Sequence, residues 1–358
     1  MATMTERLSR LTTQQLQAAG AIDFCRFVQC QAASVGPQTA ARLFADTFPR
    51  SVNLDLVQKF AGGLETKAAV LPGTTTDATW AGPLAAPAAL ASDFVGYVNQ
   101  QTIVGRLPGV ARGPFDTPIP VLTTGAMYAW TVQGKVKPIS AMAFASATVP
   151  PTKAGGIIAV TEELLRARPG NAELLQSVLA GGLARFLDQQ FMDPALAPVA
   201  GQQPGSITNG ATVVTATGNL AADLAKLIST FFAGRTAMAP VLILPTGIAV
   251  ELGLQGAHEI RVDGTGTVAG LPAIVSPHIT VVAIVDAQAI VVADAGQVAI
   301  DVSRYATLQL NTTPDEPATA STIPTSLWQS NQSAIRAERF IGWLRTTTTA
   351  VAYFVPVP

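Results

Sequence analysis

The stretch WTVQGKVKPISAMAFASATVPPTKAGGIIAVTEELLRARPGNAELLQSVLAGGLARFLDQQF, Trp130 to Phe191, decides how this chain folds. It runs from a long hairpin through a short apolar strand and a Glu-Glu-Leu-Leu turn into a long amphipathic helix. Pro169 and Gly170 break what precedes that helix, Asn171 is a good N-cap, and Glu173 places a negative charge in the first turn. Leu174, Leu175, Val178, Leu179, Leu183, Phe186, Leu187 and Phe191 recur at helical spacing and predict one broad apolar face. Glu173, Ser177, Ala180, Ala184 and Asp188 are expected on the other side. At about 1.5 Å per residue the helix spans about 30 Å, the width of a small domain. Gly181-Gly182 at its middle is costly, at about 1 kcal/mol per glycine relative to alanine. Either a neighbouring backbone or ring packs there, or the helix must bend there.

Before the helix, Ile119 to Val132 and Ala141 to Val149 are β-prone arms. The second alternates Met142, Phe144, Ser146 and Thr148 with Ala141, Ala143, Ala145 and Ala147, so one face is nearly all alanine. An isolated two-stranded hairpin is marginal in water, and this one has little of its own to bury. It lies either on the chain's own core or on a neighbouring subunit. Lys135 and Lys137 at its tip are either a solvated end or an intersubunit contact.

Composition favours large contacts between chains. Of 358 residues, 13% are charged, about half the roughly 25% usual for a soluble domain, and 49% are hydrophobic. A monomer with so few charges covers its surface poorly; obligate subunit contacts are the natural remedy. The length suggests two or so domains. The net charge of −1 gives no global basic field to attract nucleic acid. His278 to Ile300 is the nearest approach to a membrane span, but Asp286 and Asp294 interrupt it, and no membrane partner is expected. MATMTERLSRLTTQQ lacks the layout of a signal peptide. Cys25 and Cys30, five apart in an expected helix, point to different faces and read as reduced, buried thiols.

Residues 1–66 look helical: one helix runs from Thr12 or Thr13 towards Cys30, and a second from Gly36-Pro37 stops at Pro49. Lys67 to Pro87 reads as an extended arm laid over another surface, anchored by Trp80. Leu90, Phe94, Tyr97 and Val98 predict a short helix. After the long helix come a loop (193–210), an amphipathic helix (220–232), a strand (240–244), a helix through Leu252 and Leu254, and Val/Ile-rich strands to Ile300. The tail reads as strands, with Trp328, Ile335, Phe340, Trp343 and Phe354 for the core. The class is α+β.

Little here supports catalysis. His258 and His278 are the only histidines, too few for a triad at turn-rich positions. Glu162 and Glu163 are adjacent, so on a helix they diverge by about 100° and read as a solvated first turn. Gly264-Thr265-Gly266 with Gly270 lacks the spacing and frame of a dinucleotide site and reads as a hairpin turn. No catalytic, cofactor-binding or metal-ligating set is expected.

In order and spacing, TTTDATWAGPL, WTVQGKVKPISAMAF, IIAVTEELLR, FLDQQFMDP, QPGSITNG, GLPAIVSPHI, VADAGQVAIDVS and SAIRAERFIGWLR resemble the major capsid proteins of tailed phages. That fold is shared by coliphage heads, encapsulin shells and the herpesvirus capsid floor, and the similarity is greatest to the branch often encoded with a prohead protease. The resemblance covers the chain from Lys67 onwards and implies its parts. Residues 1–66 form an N-terminal helical segment, 67–115 the N-arm and 116–155 the E-loop hairpin. The P-domain takes 156–219, with its spine helix at 171–192, together with 304–358; the A-domain takes 220–303. It also implies that the hairpin lies on a neighbour. Trp80, Trp130, Gln133, Lys135, Lys137, Met142 and Phe144 are then the candidate intersubunit contacts, and Gly181 and Gly182 the candidate points of helix flexure. Relatives commonly carry an acidic residue where Gln133 stands. The implied function is a non-enzymatic subunit of an icosahedral shell built of pentamers and hexamers around double-stranded phage DNA. The implied partners are its own copies, with portal and prohead protease during assembly. The implied place is the virion, assembled in the bacterial cytoplasm. An encapsulin-like compartment is the alternative.

Overall fold

The computed structural model describes residues 13–33, 37–55, 57–58, 85–124, 129–131, 136–137, 139, 143–165, 171–233, 237–256, 259–260 and 265–357. Helices α1 (Thr13–Ala33) and α2 (Pro37–Thr47) come first, then α3 (Ala85–Gln101) and the single turn α4 (Ile103–Arg106). Strands β1 (Ala111–Gly113), β2 (Ile119–Thr124), β3 (Ala143–Ala147) and β4 (Lys153–Thr161) lead to the turn α5 (Glu162–Leu165) and the long helix α6 (Asn171–Met192). Next come β5 (Thr212–Val213), α7 (Leu220–Phe232), β6 (Pro240–Pro245) and α8 (Thr246–Leu254). Short strands β7 (Glu259–Ile260), β8 (Thr265–Val268), β9 (Leu271–Ser276) and β10 (Val282–Asp286) precede the longer β11 (Ile290–Ser303). Then follow β12 (Thr307–Leu308), β13 (Thr325–Ser326), the long β14 (Gln332–Arg345) and β15 (Val351–Phe354). The α+β class, α6 and α7 are as expected from the sequence. Helix α3 starts earlier than Leu90, because Pro87 falls in its first turn, where a missing N–H costs nothing.

Two compact units emerge, and each has its own core. The first draws on Met1–Gly105, Ala154–Leu187 and Gly296–Phe340. Phe24, Cys25, Phe27 and Val28 of α1, Phe44 of α2, and Phe94, Val95 and Val98 of α3 pack with Leu179 and Ala180 of α6. Val298 of β11 and Ile335 of β14 close this core from the sheet, in which β14 lies between β11 and β4. Phe24 meets Phe94 with ring centroids 5.2 Å apart. A side chain at Gly20 would collide with the Asp93 carboxylate, so α1 and α3 approach each other where only glycine fits. Arg339 is buried and donates to Asn99 Oδ1 at 2.8 Å.

The second unit comprises Arg106–Lys153, Asp188–Ala295 and Ile341–Pro358. Its main sheet has the order β5-β15-β10-β6-β9-β8-β7, with β6–β9 and β15–β5 parallel and β10 antiparallel to both its neighbours. Every residue of β10 is buried, as a central strand covered on both faces requires. Leu224, Leu227 and Phe231 of α7 and Leu252 of α8 pack on Leu242, Leu244, Val282, Ile284 and Phe354. Asn219 caps α7 through Ala222 N–H, and the Asp223 carboxylate accepts from Thr217 and Gly218. Gly270 occupies the tight turn between β8 and β9 with φ +77°, so the glycines near Gly264 serve a hairpin.

A strap closes the end of α6. Ser206 Oγ donates to Phe191 O at 3.0 Å and Thr208 Oγ1 to Met192 O at 2.9 Å, satisfying carbonyls that a helix C-terminus leaves open. Trp343 packs edge-on against Phe191 and donates to Gly205 O at 2.9 Å. Arg345 donates to Ile207 O, Asn209 O and Gly210 O at 2.7–3.2 Å. The QPGSITNG motif is thus a capping loop held by β14.

Three expectations about burial need correction. The buried side of α6 is Gln176, Leu179, Ala180, Ala184, Leu187, Asp188 and Phe191, rotated from the expected apolar face. Small Ala180 and Ala184 let neighbours close in, and Asp188 is accommodated by a 2.6 Å bond from Ser276 Oγ. Val178 and Phe186, placed on the core side from spacing, are 49% and 46% exposed. Trp328 and Phe340, assigned to the core, are likewise exposed; Ile335, Trp343 and Phe354 are buried as expected.

Candidate functional site

The hairpin is anchored at its base and bare at its tip. Strands β2 and β3 pair antiparallel from Ile119↔Ala147 to Leu122↔Phe144, with an irregularity before Thr124. Their base is fixed by an apolar cluster in which Phe115 and Ile119 join Val149, Val291, Ala293 and Leu344. Asp116 N–H donates to Val149 O at 3.0 Å, and Thr152 Oγ1 to Ile341 O at 2.6 Å. A Cβ at Gly342 would lie 2.9 Å from Val149 Cγ1 and 3.1 Å from Thr152 Oγ1, so β14 must carry glycine where the hairpin roots. At the other end Trp130 is fully exposed, and Val136 and Ile139 are 94% and 99% exposed. Lys137 is exposed between them.

The first unit carries an apolar surface of its own. Beside α6, and lined by β4 and β14, lies an apolar groove of about 260 Å³. Its walls include Gly155, Gly156 and Ile157 of β4, and Val178, Gly182 and Phe186 of α6. Ile157 is 52% exposed. A Cβ added at Gly156, Gly181 or Gly182 would meet no described residue within 4 Å. Packing among the described residues therefore does not explain the glycine pair.

The electrostatics of the rest are local. On the first unit, Asp23 accepts from Asn53 N–H at 3.1 Å and pairs with Arg26 at 3.2 Å, while Asn53 Nδ2 donates to Asp93 at 3.4 Å. Burial pushes both carboxyls above the usual range; the Asn53 and Arg26 contacts pull Asp23 back, and the charge of Asp23 raises Asp93 further. Cys25 and Cys30 are buried thiols that form no disulfide, as expected, and burial pushes the Cys30 thiol up to about 12. Glu162 pairs with Arg304 at 3.4 Å and Glu163 accepts from Asn331 at 2.7 Å, so the two diverge as their adjacency predicts. Among the described residues no three His, Cys, Asp or Glu side chains group as metal ligands, and no helix is long and apolar enough to cross a membrane.

Of the residues singled out from the sequence, Trp130 and Lys137 are both exposed in the segment between β2 and β3. Phe144 is in β3, opposite Leu122. Trp80, Gln133, Lys135 and Met142 lie outside the described residues, as does His258. Sequence reading missed Val136 and Ile139, and missed the groove residues Ile157, Val178 and Phe186. The first pair was legible as apolar residues flanking a charged turn; the groove was not, because it joins segments far apart in the chain.

Known proteins resemble the chain over most of its length. The model of the phage capsid family matches residues 82–354. A curated capsid polyprotein of Pseudomonas phage PAJU2 is 40% identical over 319 residues, covering 82% of this chain and 48% of that protein. The chain thus spans about half the length of that relative. A solved structure from Mycobacterium phage Ogopogo superposes with a TM-score of 0.53 at 19% identity, covering 71% of this chain and 92% of that one. One from Gordonia phage Cozz gives 0.51 at 17% identity, covering 81% and 98%. These two show a shared fold, and the relatives named here do not favour an encapsulin-like compartment. The family match over residues 82–354 and the 40% identity to a capsid polyprotein agree: the chain belongs to the phage capsid family.

Proposed function

We propose that the chain is the major capsid protein of a tailed-phage head. It self-assembles, as pentamers and hexamers, into an icosahedral shell enclosing double-stranded DNA. The observation that carries this is the hairpin: a family member presents Trp130, Val136 and Ile139 to water at the end of a rooted arm. Exposed apolar side chains rimmed by polar ones mark an interaction site. Low charge over the whole chain points the same way.

In this reading residues 67–115 are the N-arm, 116–155 the E-loop, 156–219 and 304–358 the P-domain, and 220–303 the A-domain. Trp80, Gln133, Lys135, Met142 and Phe144 join the tip residues as intersubunit contacts. The protein is structural rather than enzymatic and needs no cofactor. It works in the virion after assembly in the host cytoplasm, and touches DNA weakly and without sequence preference. A portal and a prohead protease are its assembly partners; the capsid polyprotein, longer than its match to this chain, supports the idea of processing. Electron microscopy of the purified chain tests the reading. Closed shells or capsomers are expected, and a stable, monodisperse monomer at micromolar concentration overturns it.

A further inference from the structure

We infer that helices α1 and α2 are a permanent part of the shell wall: they stay on the first unit even where the chain between them and α3 is cut. The inference rests on the shell reading above and goes beyond it, since the family match begins at residue 82, after both helices. A segment made to be shed leaves along a polar, solvated seam, whereas obligate contacts resemble a core cut in half. Here the seam is the core. Ten of the seventeen buried side chains described in it come from α1, α2 and Val57. With the helices gone, Phe94, Val95, Val98, Leu179 and Ile335 would lose more than half of the cluster they pack in. They would then form an apolar patch of the kind monomers rarely show.

The fit is close as well as apolar. Phe27 and Phe48 both meet Phe44, with ring centroids 6.3 and 5.6 Å away. Glycine at position 20 lets α1 approach α3 as closely as the Asp93 carboxylate permits. Asn53 ties the two helices together: its N–H donates to Asp23 at 3.1 Å and its Nδ2 to Asp93 at 3.4 Å. From α6, the buried Gln176 donates to Ala18 O at 3.5 Å. Buried polar groups partnered across a seam are satisfied only while both sides are present.

The test separates cutting from leaving. A site for a sequence-specific protease is inserted after Gln58 of the full chain, and folded subunits are cut. The N-terminal fragment should co-elute with the remainder on gel filtration and part from it only in denaturant. Phe44→Ala, which empties a fully buried position in the seam, should raise the fraction released at least tenfold. A fragment that leaves the otherwise unmodified subunit under native conditions, with a soluble remainder, overturns the inference. In finished heads made with the prohead protease present, quantitative mass spectrometry should find peptides of α1, α2 and α6 in equal molar amounts. Heads that lack the α1 and α2 peptides overturn the inference and leave the shell reading standing. A chain that forms neither shells nor capsomers breaks the shell reading, and the claim about the wall with it, even where the fragment stays bound.

Discussion

Strand β10 and the β2–β3 hairpin are built from the same kinds of residue and end in opposite environments. VAIVD in β10 is buried throughout, with α7 and α8 packed on its sheet. The hairpin is rooted by one small cluster and carries its large apolar residues out to a bare tip. The lesson is that apolar composition does not decide burial; a covering layer does. For β10 the layer is in the chain. For Trp130, Val136 and Ile139 at the tip, no described residue supplies one.

The sharpest way to break this comparison is to truncate one residue in each region. Ile284→Ala in β10 should cost about 2–5 kcal/mol of subunit stability by emptying a closed core. Ile139→Ala should move subunit melting by no more than about 0.5 kcal/mol, the usual range for a surface site, while abolishing shells. Thermal melts of disassembled subunits beside micrographs read both, and equal losses of stability would erase the distinction.

Glycines sharpen it next. Gly342→Ala crowds the hairpin root and should destabilise by about 1–3 kcal/mol. Gly181→Ala with Gly182→Ala adds methyls in open space and should raise subunit stability, by up to about 2 kcal/mol from helix propensity alone. A double variant melting below the parent would mean that something fills that space in the isolated subunit. A higher melt with shells biased to an expanded form would point to a helix that bends during maturation.

Smaller effects follow from the buried acids. With folded values above unfolded ones, Asp23 and Asp93 make the native chain hold extra protons between the two. Their contribution is therefore full below about pH 4 and declines as pH rises through the raised values. Asp93→Asn should flatten that slope in a series of melts against pH. Least of all, Cys30 should resist alkylation at pH 8 until the chain unfolds, because its thiol is held near 12.

Much of this fold was legible. Pro169-Gly170-Asn171 marked where α6 starts, and the bounds of α7 followed from its periodicity; the Asn219 cap was found only in the structure. What sequence could not give was which side of α6 faces inward. Ala180 and Ala184 look neutral, and Asp188 looks solvated until Ser276, 88 residues later, is brought to it. Trp328 and Phe340 misled for the reverse reason: a large apolar residue is read as core unless something says the core stops short of it. At the candidate site the hairpin was readable as an arm without a core of its own. The apolar groove beside α6 appears only when β4, α6 and β14 are assembled.

The strap over the end of α6 has a consequence for synthesis. The helix ends at Met192, yet the residues that fasten its capping loop, Trp343 and Arg345, emerge from the ribosome some 150 residues later. Strand β15 is later still, and it enters the interior of its sheet, between β5 and β10. Until it arrives, β10 shows an open edge, the kind of edge that recruits stray strands. A chain stalled before Ile341 thus lacks both the fastening and the closing strand. Translation through Phe354 is therefore needed before the edge of β10 is covered.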